Sequence, residues 1–364
     1  MTRLTLVAVL LTAAFTRADE SRPFRLGFTS WPSAATVEAV TGAYTFIAAH
    51  GDLLAEHIEE GVPWQAAADG KPFPREFVQK MQGRARNRPK GVKVLLSITP
   101  LDMGRKGFAD LVDDRGKRMA PKEWADKKFN DPSVKSAYLT YVLWMIDTFK
   151  PDYVLTGIET NEILNNRPDA WGAYRELSAH VRGEVKKKHP KLLIAESVTL
   201  HKLLEKGNKK LADYQKSIRE FVADHDFCAV SFYPFFLGQH KAAEFDDSLK
   251  FLTTFTDKPL AIAETGHPAE DLDVKRWNLN FRTTPEEQNA YVTALLKRAQ
   301  VDRYLFVTWF ASKDFDELWA TFPDAVKDIG RLWRDTGLVD EKGKERPGLA
   351  TWTSAFGRPF AAGR

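Results

Sequence analysis

Pro259-Leu260-Ala261-Ile262-Ala263-Glu264-Thr265-Gly266 is a short run of apolar, strand-forming residues that ends on a glutamate. A second run of the same kind lies upstream, Val154-Leu155-Thr156-Gly157-Ile158-Glu159-Thr160-Asn161-Glu162. Near-continuous apolar strands mark a sheet buried on both faces, and such a sheet is built of parallel strands joined through helices. A carboxylate at the end of a buried strand sits in a partly desolvated cleft, where ionisation is costly and a second acid nearby splits the two pKa values.

Around these runs, strand and helix patterns alternate along the chain. Residues 24–29, 44–48, 92–98, 192–198, 227–233 and 304–309 are further strand candidates. Between them, apolar positions spaced three and four apart predict helices. The clearest covers 132–149: Asp131 can cap it, Pro132 suits its first turn, and Val134, Ala137, Tyr138, Tyr141, Val142, Met145, Ile146 and Phe149 share one face. Thr284-Pro285-Glu286-Glu287 reads as a capping box opening a helix to residue 299. Others are expected at 170–187, 213–223, 245–255 and 325–334. Eight strands with helices between them predict an α/β fold, a closed (β/α)8 TIM barrel in a single domain over 19–364. The rival, an open doubly wound sheet, carries a glycine-rich phosphate loop after its first strand. Thr29-Ser30-Trp31-Pro32-Ser33 is not such a loop.

An apolar fraction of 43% and ten tryptophans in 364 residues suffice for a large core, and a net charge of +4 is small for that length. No basic run is interleaved with aromatics, which argues against a nucleic-acid partner. Lys186-Lys187-Lys188 falls in the last turn of a predicted helix, where cations complement the dipole. The one cysteine, Cys228, permits no internal disulfide. At the start, Arg3, a mostly apolar stretch over 4–15 and Thr16-Arg17-Ala18 read as an export signal over 1–18, too short to span a bilayer. A first barrel strand or an anchor is the alternative. The expected mature chain is free of the membrane and periplasmic or extracellular.

In a parallel barrel the active site forms at the C-terminal ends of the strands. On this count Glu162 follows strand four and Glu264 ends strand seven. Two facing glutamates are what glycoside hydrolysis requires; at about 5 Å separation one attacks the anomeric carbon while the other handles the proton. Strand alternation sends Glu159 and Glu162 to opposite faces, so only one of them turns inward unless a bulge intervenes, and the neighbouring asparagine favours Glu162. Trp31 after strand one, His201 after strand five and His267 after strand seven are candidates to line the cleft. His50 and Asp52, after strand two, invite a metal reading, but no His-x-His pair or His-Glu-x-x-His helix supports one, and no metal or cofactor is expected.

At these positions the chain resembles the clan A retaining glycosidases, which place an acid/base glutamate, preceded by asparagine, after strand four and a nucleophile on strand seven. Asn161-Glu162 and Glu264 match both. Ser231-Phe232-Tyr233-Pro234-Phe235-Phe236 and Glu264-Thr265-Gly266-His267-Pro268 resemble the sixth- and seventh-strand motifs of family 53, the endo-β-1,4-galactanases. The resemblance implies a retaining enzyme acting within a polysaccharide, with β-1,4-galactan as the family's substrate. It makes Glu162 the acid/base and Glu264 the nucleophile. It also implies Asn161 on the sugar's 2-hydroxyl, Tyr233 donating to Glu264, and Trp309 as an aromatic floor.

Three segments depart from the pattern. Ala48-Ala49-His50-Gly51-Asp52 lacks the arginine that clan A carries at the end of strand two. Ser97-Ile98-Thr99-Pro100 lacks the galactanases' histidine, and Ile158-Glu159-Thr160 replaces a shorter glycine-led run. A non-catalytic carbohydrate-binding barrel and a metal-assisted hydrolase of another bond are the rival functions.

Overall fold

The structure is a computed structural model that describes residues 21–361 apart from 114, 116 and 276–278. The segment read as an export signal lies outside the described residues. Strands β1 (Arg25–Thr29), β2 (Leu53–Ile58), β3 (Lys93–Ile98), β4 (Tyr153–Leu155), β5 (Leu193–Ala195 and Ser197–Thr199), β6 (Cys228–Phe232), β7 (Leu260–Thr265) and β8 (Phe306–Trp309) pair in parallel. The sheet runs from the first piece of β5 through β4, β3, β2, β1, β8, β7 and β6 to the second piece of β5. Both of its ends belong to one strand, interrupted at Glu196 alone, so the sheet closes on itself and leaves no unpaired edge.

A helix follows each strand: α1 (Val37–His50), α2 (Arg75–Arg86), α3 (Pro132–Phe149), α4 (Trp171–Lys188), α5 (Leu211–Ala223), α6 (Ala242–Phe255), α7 (Pro285–Val301) and α8 (Pro347–Phe356). This is the (β/α)8 barrel. The cap of α7 forms as expected on its Thr284 side, whose hydroxyl accepts from the Glu287 N–H at 3.2 Å. Asp131 instead turns its carboxylate back to the Lys128 N–H, leaving the start of α3 to Pro132. At the end of α4, Lys186 reaches the Leu192 carbonyl and Asp226, and Lys187 pairs with Glu184. Among the described residues no helix is long and apolar enough to cross a membrane.

Alternation along the strands divides the core. Leu53, Ala55, Leu95, Leu155, Ala195, Phe227, Ala229, Ala261, Ala263 and Phe306 fill the barrel. Their neighbours, such as Leu54, Val94, Val154, Val230, Ile262 and Val307, face the helices. Gly27 lies in the first strand because any Cβ there would strike the Leu53 backbone.

One strand is not where the sequence suggested. Residues 44–48 belong to α1, not to strand two. Tyr44-Thr45-Phe46-Ile47 is β-prone by propensity, but Ala43, Tyr44 and Ile47 bury at helical spacing and Thr36 caps the helix through the Ala39 N–H. Strand two is Leu53–Ile58. His50 therefore closes α1, against Thr353, and Asp52 precedes β2, where it pairs with Arg22 and Arg25. Both sit at the end of the barrel opposite the mouth.

Candidate active site

Glu264 reaches the barrel mouth through an irregularity in β7. Ala261 and Ala263 point inward and Leu260 and Ile262 outward, so strict alternation sends position 264 outward. The register against β6 slips between Ile262 and Glu264, which turns Glu264 inward directly after Ala263. Its side chain is only 10% exposed. The Tyr233 hydroxyl, just past β6, donates to Oε1, and His57 Nδ1 lies 3.0 Å from Oε2.

His57 follows Leu53 and Ala55 along the inward face of β2, so alternation alone aims it into the mouth. Its other nitrogen, Nε2, stands 3.2 Å from Glu59 Oε2. An imidazole with a carboxylate at each nitrogen satisfies both only when both nitrogens carry protons. Burial opposes that charge, but Glu264 and Glu59 outweigh it and lift the ring to about 10. Residues 48–52, which lack the arginine, lie at the opposite end of the barrel; the cation beside Glu264 is His57, at the mouth end of β2. Glu59 in turn pairs with Arg105; burial works against its ionisation, but Arg105 and His57 hold its carboxyl well below the usual range.

Arg105 comes from the loop after β3, held in the left-handed region (φ 51°) by a turn on Asp102. Its second guanidinium nitrogen reaches Glu159 Oε2 at 3.2 Å. Glu159 lies in the segment after β4, where strand geometry has ended. Gly157 there passes against Glu196, Thr160 and the Tyr174 hydroxyl with no room for a Cβ. Two residues on, Glu159 takes a left-handed φ of 54° and donates its N–H to Ser197 Oγ at 2.9 Å. Burial raises its carboxyl most; Arg105 holds it down, and the charges of Glu264, Glu59 and Glu162 push it further up, to about 7.

Glu162 opens the short helix Glu162–Asn166 and accepts from the Thr199 hydroxyl at 3.0 Å. His201 Nε2 is 3.9 Å away, but burial, with help from Lys202, pushes that ring down to about 3, so the contact is no ion pair at neutral pH. Glu159 and Glu162 both line one cavity of about 380 Å3. The expectation that only one turns inward fails because the chain leaves strand geometry at Leu155. Arg105, Thr199 and His201 share the polar side of the cavity, and Phe236, Leu332 and Trp333 form its apolar wall.

The remaining candidates fall elsewhere. Asn161 is fully buried: its nitrogen donates to the Thr199 carbonyl and the Tyr214 hydroxyl, and its oxygen accepts from the Thr199 N–H and competes with Glu162 for the single proton of the Thr199 hydroxyl. Both of its N–H donors are committed, and its burial keeps it from a sugar hydroxyl. Trp309 faces the helices, as alternation from Phe306 and Thr308 requires; it packs on Tyr291 and Trp352 and donates to the Thr336 carbonyl, so it offers no floor. His267 is fully buried among Phe245, Phe281 and Tyr291 rather than in the cleft. Trp31 packs on Phe310 and Phe315, beside the Trp333 wall.

Carboxylate oxygens of Asp314, Asp316 and Asp335, and of Glu270, Asp314 and Glu341, also lie within 4.8 Å of one another. The Arg346 guanidinium already clasps Asp314 through both terminal nitrogens and reaches Glu270, supplying the positive charge there.

The family model described as Glycosyl hydrolase family 53 matches residues 76–322. Among solved structures, the chain is similar to an exo-β-1,4-mannosidase from Opitutaceae bacterium strain TAV5 (15% identity, TM-score 0.65), covering 92% of this chain and 59% of that one. The Ignisphaera aggregans GH53 catalytic domain is similar at 16% identity and TM-score 0.55, over 92% and 96% of the two chains. Xylanase 10B of Thermotoga maritima follows at 10% identity and TM-score 0.58, over 94% and 97%. No curated protein matches the chain.

Proposed function

The chain belongs to glycosyl hydrolase family 53 and is a glycosidase with a carbohydrate substrate; from that premise we propose that it cleaves β-glycosidic bonds within a polysaccharide by double displacement, with Glu264 as nucleophile and Glu159 as acid/base. The observation that carries this reading is the asymmetry of the two carboxyls. Both Glu264 oxygens accept hydrogen bonds, one from a phenol and one from a cation, while Glu159 is lifted toward protonation partly by the charge of Glu264 itself. A pair whose surroundings separate an ionised carboxylate from an acid is what glycoside hydrolysis uses, and the retaining course is taken from the family resemblance.

In the first step a Glu264 oxygen bonds to the anomeric carbon. The bond to the departing sugar breaks, and its oxygen leaves with the electron pair and takes the Glu159 proton. In the second step Glu159, now a carboxylate, removes a proton from water. The water oxygen bonds to the anomeric carbon as the ester to Glu264 breaks, and Glu159 ends protonated again. Glu162, which sequence favoured as the acid, sits at Thr199 and His201 and is suited to holding hydroxyls of the departing sugar.

β-1,4-Galactan is the first substrate to test, on the family's resemblance; mannan and xylan follow because structural neighbours are named as a mannosidase and a xylanase. Hydrolysis of one β-glycan, loss of turnover in Glu264→Ala, partial rescue by azide and a first-formed product of unchanged anomeric configuration are the expected results. Undiminished turnover by Glu264→Ala sinks the assignment. Export directed by residues 1–18 belongs to the same reading, and the N-terminal sequence of the secreted protein tests it.

A further inference from the structure

The two reacting carboxyls are joined by an unbroken line of charged contacts. Glu264 meets His57 at 3.0 Å, His57 meets Glu59 at 3.2 Å, Glu59 meets Arg105, and Arg105 meets Glu159 at 3.2 Å. The signs alternate along the line, and its members come from β2, β7 and the loops after β2, β3 and β4. Three carboxyls face two cations, so the line is electrically neutral when one carboxyl holds a proton. The two end carboxyls each share their cation with Glu59, but Glu264 also accepts from the Tyr233 hydroxyl while Glu159 faces the further charge of Glu162, so Glu159 is the member with the weakest hold on its charge.

Resting on the assignment of Glu264 and Glu159 as the reacting pair, we infer that His57, Glu59 and Arg105 form an ion-pair bridge that positions both carboxyls and keeps the single proton on Glu159. The bridge is anchored from outside the barrel. Arg84 donates to the His57 carbonyl at 3.3 Å while its own charge is taken by Glu56 and Glu60. Arg118 donates to the Glu59 carbonyl at 3.1 Å, so it holds the backbone and leaves the carboxylate to His57 and Arg105. The remaining charge facing Glu159 is Glu162. His57, Glu59 and Arg105 are positioning residues; they act on the substrate only through the carboxyls they hold.

The test rests on shifts of opposite sign. In Glu59→Gln, Arg105 loses its competing partner and pairs with Glu159 alone, so Glu159 gives up its proton more readily. The alkaline limb of kcat/KM moves to lower pH, on the order of one unit. In Arg105→Gln, Glu159 loses its contacting cation, and the same limb moves up by a similar amount. A merely structural role lowers activity in both variants and leaves the limbs where they were, which overturns the bridge. The wild-type protein supplies a second readout that needs no substrate. Nitrogen NMR of the His57 ring is expected to show both nitrogens protonated at pH 8, and a neutral ring there overturns the bridge. A doubly protonated ring in a protein that turns over no glycan leaves the bridge standing and removes the hydrolase reading instead.

Discussion

His57 Nδ1 stands 3.0 Å from Glu264 Oε2, although their strands, β2 and β7, are separated in the sheet by β1 and β8. The contact crosses the barrel mouth and leaves Glu264 with two donors, the second being Tyr233. Removing one donor from a buried, hydrogen-bonded carboxylate forfeits about 1.5–3 kcal/mol. Tyr233→Phe keeps the buried ring and deletes only the hydroxyl. Its kcat is expected to fall roughly 10- to 150-fold with little change in KM. Steady-state kinetics on the best substrate checks this, and an unchanged kcat removes Tyr233 from the machinery.

Glu159 and Glu162 share one cavity but differ in their surroundings, and pH separates their roles. A carboxyl lifted to about 7 is protonated below that pH and ionised above it. An acid must hold its proton to give it, so activity is expected to fall as pH rises through 7. Glu159→Gln removes this alkaline limb. It also cuts kcat by about 10²–10⁴ on substrates with poor leaving groups, and by much less on activated aryl glycosides, which leave without a proton. Glu162→Gln is expected to raise KM, keep the limb and leave kcat within about tenfold. The opposite pattern returns the acid's role to Glu162.

Much of the barrel was legible because the physics is local. The period-3.6 face of α3 and the apolar runs of β3, β6 and β7 appear in the sequence as they pack in the structure. Strand two was lost because Tyr44–Ile47 is β-prone residue by residue, and only its burial at helical spacing reveals α1. That shift hid His57, and with it the cation beside Glu264; the alternating Leu53, Ala55, His57 was the available signal. Trp309 was also decidable, since alternation from Phe306 turns it outward. Arg105 was not, because its loop conformation depends on a turn at Asp102 and on ion pairs to two other segments. Nor was the inward turn of Glu264, which depends on a register slip that no residue pattern announces.

Arg346 supports the loop that follows β8. Its side chain is 5% exposed, clasps the fully buried Asp314 through both terminal nitrogens and also donates to the Gly337 carbonyl. Removing one partner of a buried pair leaves the other charge uncompensated, at a cost of about 3–5 kcal/mol. Arg346→Met is therefore expected to lower Tm by roughly 5–10 °C. Arg346→Met with Asp314→Leu should recover much of that loss, because no charge is then stranded. Calorimetry on both variants checks the sign of the coupling.

Gly157 links the fold to the site. It passes between Glu196, Thr160 and Tyr174 at the point where β4 gives way to the segment carrying Glu159. Two of those neighbours are committed to each other, the Tyr174 hydroxyl donating to Glu196 Oε2 at 2.6 Å, so neither can yield without breaking a buried hydrogen bond. Gly157→Ala is expected to cost about 1–3 kcal/mol by overpacking and to displace Glu159. Because misplaced catalytic groups lose rate steeply, kcat should fall by about 10²-fold even in the fraction that remains folded. Gly172, in α4, is the control: a Cβ there meets nothing within 4 Å. Gly172→Ala should gain about 0.5–1 kcal/mol from helix propensity and leave turnover unchanged. Melting curves and kinetics on the two variants separate a steric demand specific to position 157 from a general effect of adding a methyl group.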